Sequence, residues 1–263
     1  MRRILAVIIL TLLTACVSSP KSTSPTGAQR ADTSGGGSTS PRERAKIHTE
    51  LGVGYYENGQ LGVALEELHI ATVADKTYAP AFNALALVHM ELKEDEEAEK
   101  YFRRALKIDP NSSETKNNYG LFLCQRGRQK EGIRQLLDAL KNPLYTTPDV
   151  AYKNAGLCSR RAGDMKGAEE YFGKALKLNP RQPEALYSLA EISYQRDDYA
   201  GAKLYMNRYL TVVQTPGPEA LWLGARIERK LGDRTALANF GMQLRRRYPS
   251  APETKAFLEG HFE

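Results

Sequence analysis

The chain has 263 residues, 41% hydrophobic and 26% charged, a balance that excludes wholesale disorder and collagen-like repetition. No apolar run reaches the roughly 18 to 20 residues that cross a bilayer as a helix, and three cysteines are too few for a disulfide-stapled scaffold. The net charge of +6 is modest, and its clusters (Arg103-Arg104, Arg160-Arg161, Arg245-Arg246-Arg247) lie in stretches of helical periodicity, so they read as solvated helix faces and not as a nucleic-acid surface.

The chain opens with an address. Met1-Arg2-Arg3 is positive, Ile4 to Leu13 is apolar except for Thr11, and small residues follow at Thr14 and Ala15. This is the pattern of a secretion signal, too short for a membrane anchor. Leu13-Thr14-Ala15-Cys16 resembles the bacterial lipoprotein box. The resemblance implies that residues 1–15 are removed and that Cys16 is acylated, with two or three chains giving firm anchorage where one is marginal. Val17 stands where an inner-membrane retention signal places Asp, so the implied destination is the outer membrane, facing the periplasm. Residues 16–41 then form a tether. Eighteen of the 25 positions from 17 to 41 are Ser, Thr, Gly or Pro, a composition that cannot bury enough apolar surface to offset its ordering entropy. Such a flexible segment spans roughly 25 to 30 Å.

From residue 42 to 263 a period of about 35 takes over. Ala98-x3-Phe102-x2-Ala105-x4-Pro110 recurs as Ala168-x3-Phe172-x2-Ala175-x4-Pro180, 70 residues later. Weaker copies run through Ala64, Leu68 and Ala71; Gly132, Leu136 and Ala139; and Ala202, Met206 and Tyr209. A sixth unit carries Ala225, Gly232, Leu244 and Pro249, with Leu237 and Gly241 at the usual alanine and aromatic positions. The spacing resembles the tetratricopeptide repeat, a helix-turn-helix unit. It implies an all-α, right-handed α-solenoid of about six repeats, closed by a short capping segment near Pro252 to Phe262. Small residues at Gly52, Ala86, Gly120, Gly156, Ala190 and Ala225 admit a neighbouring helix, while Leu51, Leu85, Phe102, Phe172 and Leu189 are expected to fill the space between. Gly59, Gly127, Gly163 and Gly232 mark the turns, and prolines end the second helices. One hairpin cannot bury its apolar face alone, so stacking makes the core.

No constellation for chemistry emerges. His48 and His89 occupy positions of packed residues, and no His or Cys pair has metal-ligand spacing. Paired acids such as Glu96-Glu97 and Asp197-Asp198 sit where helix starts favour negative charge. Gly-rich phosphate loops and nucleophile or zinc motifs are absent. The expectation is a protein that is not an enzyme and takes no cofactor, metal or small-molecule substrate. Cys124 and Cys158 fall on consecutive first helices at nearly level positions. In an oxidising compartment they are expected to pair, a 33-residue loop worth roughly 3 to 4 kcal/mol; the alternative is two small buried hydrophobes.

Function therefore rests on the surface that first helices line in a stacked solenoid, a concave groove suited to polypeptide. Repeat register places Val53, Tyr56, Leu87, Met90, Leu121 and Leu157 near it, with Asn83, Asn117 and Lys153 among them. Any of these can equally be inter-helix core. The lipoprotein box, tether, six repeats and cysteine pair together resemble the type IV pilus biogenesis lipoproteins PilF and PilW, the pilotins. The resemblance implies a protein partner, the secretin of the pilus machinery, whose subunits are bound and helped to assemble in the outer membrane. The alternative is another periplasmic repeat lipoprotein, an adaptor in outer-membrane protein assembly or for cell-wall hydrolases.

Overall fold

The computed structural model describes residues 39–262; the signal segment, Cys16 and the tether as far as residue 38 lie outside them. Among the described residues there are thirteen α-helices and no strand. Six hairpins succeed one another: α1 (Pro41–Glu57) with α2 (Leu61–Ala74), α3 (Ala79–Glu91) with α4 (Asp95–Ile108), and α5 (Ser113–Gln125) with α6 (Gln129–Ala139). Then come α7 (Pro148–Arg161) with α8 (Met165–Leu178), α9 (Pro183–Gln195) with α10 (Tyr199–Val212), and α11 (Pro218–Leu231) with α12 (Arg234–Arg247). A short α13 (Pro252–Glu259) closes the stack.

Local chemistry sets the boundaries. Six helices (α1, α3, α7, α9, α11 and α13) have proline at their first or second position, where its missing N–H costs nothing. The first helix starts one residue before the expected boundary because Ser40 caps it, accepting from the Glu43 N–H at 3.1 Å. Asp164, Asp198 and Asp233 cap α8, α10 and α12 in the same way. Each hairpin turns through one residue of positive φ. Four are the expected glycines, but Lys93 (φ 63°) and Asp197 (φ 61°) hold the same conformation in units two and five. Aspartate visits this region more readily than most residues, whereas lysine is held there against a cost of about 1–2 kcal/mol.

Within each hairpin a small residue on the first helix meets a large one sixteen positions later on the second. A Cβ added at Gly52 would fall 2.6 Å from Leu68, at Gly120 2.7 Å from Leu136, and at Gly156 2.7 Å from the Phe172 ring. Ala86 with Phe102, and Ala190 with Met206, share buried clusters in the same fashion. First helices of successive hairpins touch one another and second helices do not, so the first helices line the inner curve. The weaker repeat copy at Gly132 has a physical cause. A Cβ there would lie 2.6 Å from the Gly120 carbonyl oxygen and run into the Cys124 sulfur, so only glycine fits.

Two expectations change. Leu51 is 45% exposed, and so is Ile47 nearby at 42%, although Leu85 and Leu189, one and four units on, are buried. Those later residues pack against a preceding hairpin, and among the described residues α1 has none. The sixth unit keeps its departure from pattern but packs in a shifted register. Phe240 lies against Gly224, each one residue before the expected position, with a Cβ at Gly224 only 2.5 Å from the ring. Gly241, lacking a side chain, leaves room for Phe257 of α13, which is how the last helix closes the core.

Candidate partner-binding groove

The inner curve carries two apolar pockets. The first, of about 310 Å³, is lined by Val53 and Tyr56 of α1 with Asn83 and Leu87 of α3, and by Glu57 and Glu114. Four residues expected in the groove thus converge in one cavity. They stand on one face because 53 and 56, and 83 and 87, are three and four positions apart on adjacent helices. The Tyr56 hydroxyl titrates above its ordinary range, through burial first and the Glu91 charge second.

The amides behave otherwise. Asn83 and Asn117 are only 5% and 6% exposed. Asn118 Nδ2 donates to Asn83 Oδ1 at 3.3 Å, Asn117 Nδ2 to Asn118 Oδ1 at 3.2 Å, and Asn154 Nδ2 to Asn117 Oδ1 at 3.0 Å. This chain of amides stitches α3, α5 and α7 together, so Asn117 serves the inter-helix core and Asn83 offers the pocket only what that bond leaves free. Buried amides left unpaired would cost more than such bonds contribute, which makes the chain self-consistent. Met90, Leu121 and Lys153 are half-buried on the first helices and line neither pocket.

Leu157 lines the second pocket, of about 550 Å³, with Arg160, Glu184, Tyr187, Tyr209, Glu219 and Ala220. Tyr187 is desolvated enough, with Glu191 near it, for its hydroxyl to be pushed up to about 12. Arg160 pairs with Glu191. Register held the signal for this pocket. Tyr187 lies one repeat beyond Lys153 in the column of Asn83 and Asn117, and Arg160 continues the column of Tyr56 and Met90.

Cys124 of α5 and Cys158 of α7 are joined by a disulfide with a Cα–Cα distance of 5.5 Å, and both are buried. It ties units three and four together between the two pockets. Two of the four histidines are engaged here: His48 Nδ1 lies 2.6 Å from Glu67 Oε2, and His89 Nδ1 2.6 Å from Glu94 Oε2 with its ring stacked 5.1 Å from Tyr101. Among the described residues no group of three or more His, Cys, Asp or Glu is placed to hold a metal ion.

Stacked helical hairpins with a pocketed inner curve define the class. This is a tetratricopeptide-repeat protein, and models of the tetratricopeptide repeat match residues 79–112 and 159–226. Over 217 residues the chain is 33% identical to the type IV pilus assembly protein PilF of Pseudomonas aeruginosa, covering 82% of this chain and 85% of that one. The solved structure of Pseudomonas aeruginosa PilF superimposes with a TM-score of 0.78 at 31% identity, over 84% of this chain and 99% of that chain. The crystal structure of PilW, a type IV pilus biogenesis factor, gives 0.75 at 31% identity over 81% and 98%. The chain belongs to the PilF and PilW family.

Proposed function

We propose that the chain is a pilotin for type IV pilus biogenesis: an outer-membrane lipoprotein that holds secretin subunits in its inner groove and promotes their assembly in that membrane. Membership of the PilF and PilW family supports the pilus role. The observation that carries the binding mode is the convergence of Val53, Tyr56, Asn83 and Leu87 in one half-open apolar pocket, the kind of site that accepts an apolar side chain from an extended or helical segment. Acylation of Cys16 supplies the membrane, and the tether lets the solenoid reach away from it.

The test has two arms. Tyr56→Ser with Leu87→Ser is expected to weaken binding of purified secretin at least tenfold while helicity by circular dichroism is unchanged. Cys16→Ala is expected to leave the solenoid folded but to move it out of the outer-membrane fraction and to reduce heat-stable secretin multimers. Unchanged secretin binding in the first variant removes the groove, and a normal secretin distribution in the second removes lipid-driven delivery. Deletion that spares pili but damages β-barrel insertion or septation assigns the chain to the adaptor alternative instead.

A further inference from the structure

Beyond the second pocket the concave face changes character. Helix α11 packs one residue earlier than the preceding units, with Gly224 on Phe240, so the column of Val53, Leu87, Leu121 and Leu157 falls on Ala225 and that of Tyr56 and Met90 on Glu228, and Arg226 and Arg229 stand one position beyond each. In the first three units those columns carry no cation; beside them here stand three, Arg226, Arg229 and Lys230. Tyr194, Arg226, Arg229, Lys230, His261 and Phe262 enclose a cavity of about 560 Å³. Its cations are held by rings: Arg226 stands 4.8 Å from the centre of Tyr194, Arg229 4.1 Å from Phe262, and Lys230 5.6 Å from Tyr199.

None of these three cations makes an ion pair among the described residues. The neighbouring acids are spoken for: Glu191 by Arg160, Glu228 by Lys203 at 2.8 Å, Glu259 by His261 at 3.3 Å, and Asp197 by the Tyr199 hydroxyl. Arg226 Nε is buried and has no hydrogen-bond partner. A buried donor on a charged group is costly to leave unmet, and a charge-assisted bond to an anion is the strongest way to meet it.

We propose that this pocket is an anion-binding subsite for a carboxylate-bearing segment of the polypeptide that lies on the inner curve. The inference rests on the groove holding a polypeptide, and it specifies that polypeptide's chemistry. Tyr187 lines the apolar pocket and Tyr194 the basic one, seven positions apart on a single helix face, which is about 10 Å along the axis. An extended chain crosses that distance in about three residues. The segment recognised therefore has an aromatic or aliphatic residue with Asp or Glu about three positions away. Glu184 and Glu219 line the apolar pocket, so they repel a carboxylate there and set the orientation. The aromatic walls and the continuity with the groove favour a peptide over a lipid headgroup.

The test uses the purified full chain and a fluorescein-labelled peptide of three Tyr-Ala-Ala-Glu units, with the glutamine counterpart (Tyr-Ala-Ala-Gln) as its partner probe. Anisotropy is expected to show the glutamate peptide binding at least tenfold tighter than the glutamine one. Arg226→Gln with Arg229→Gln and Lys230→Gln is expected to abolish that preference. Arg245→Gln with Arg246→Gln and Arg247→Gln removes the same charge from exposed positions and is expected to change affinity less than twofold. Because Arg226 packs on rings, the exposed pair Arg229→Gln with Lys230→Gln is measured too, with a loss of about fivefold expected. Equal affinity for both peptides, or equal loss in the two triple variants, overturns the proposal. So does a triple variant that loses binding to phosphatidylglycerol micelles but not to the peptide, which would assign the cations to lipid. A tenfold gain on removing Glu263 would mean that the chain fills its own site, and would overturn it as well. Failure of the groove itself is read separately, from secretin binding by the Tyr56 and Leu87 variants.

Discussion

Replacing Gly132 with alanine sets two opposed effects against each other at one atom. Position 132 lies inside α6, where alanine is favoured over glycine by about 1 kcal/mol. The added Cβ, however, would stand 2.6 Å from the Gly120 carbonyl oxygen, well inside the 3.4 Å at which ordinary contact begins, and would also overlap the Cys124 sulfur. The carbonyl belongs to the backbone of α5 and the sulfur to a cross-link, so neither moves aside by a rotamer change. Helix α6 must shift away from α5 instead, loosening Leu136 from Gly120. Overpacking of this kind costs about 1–3 kcal/mol, and with two immovable neighbours the upper half applies. The net effect is a loss of about 1–2 kcal/mol. Gly173→Ala is the matched comparison: it too lies inside a second helix, but a Cβ there meets nothing within 4 Å. It is expected to stabilise by about 0.5–1 kcal/mol. Urea unfolding followed by circular dichroism, with unchanged slopes, measures both. A Gly132→Ala variant as stable as the parent, or a Gly173→Ala variant less stable, would refute the reasoning.

Three further outcomes are expected. Reducing the Cys124–Cys158 bond, which spans 34 positions, should lower unfolding free energy by roughly 3 to 4 kcal/mol; a change under about 1 kcal/mol in matched oxidised and reduced urea curves would count against it. Burial alone would raise the Glu99 carboxyl, but hydrogen bonds from Arg128, Tyr119 and Arg103 overcome it and hold that carboxyl at about 2. Its depressed value means that stability present above the ordinary carboxylate range is lost as pH falls from about 4.5 towards 2; Glu99→Gln should flatten thermal melts across that window, and an unchanged slope would contradict the assignment. Lys93→Gly relieves a left-handed lysine, and should raise stability by about 0.5–1 kcal/mol in the same denaturation assay despite the added freedom of the unfolded chain; a loss of stability there would show that the turn carries no such strain.

Much of this architecture was legible in one dimension. The alternation of small and large residues at a fixed offset, as in Gly120 with Leu136 and Gly156 with Phe172, announces hairpins because both partners lie within one unit. Caps and prolines at helix starts act over three or four residues and are equally local. That Val53, Tyr56, Asn83 and Leu87 line one pocket was legible in the same way, since residues that share a repeat column share an orientation.

What the sequence by itself determined is the repeating unit: its helices, its turns, and the columns along which equivalent residues face the same way. Only the tertiary structure decided which members of a column are covered. Leu51 is open where Leu85 is buried because α1 has no hairpin before it among the described residues, and Asn117 is core because Asn118 and Asn154 reach it from within and across helices. Phe257 enters the stack at Gly241 from outside the repeat altogether. The physical reason is range. A column is written by propensity and spacing inside one hairpin, whereas burial, pairing and pocket depth depend on how closely the next hairpin approaches.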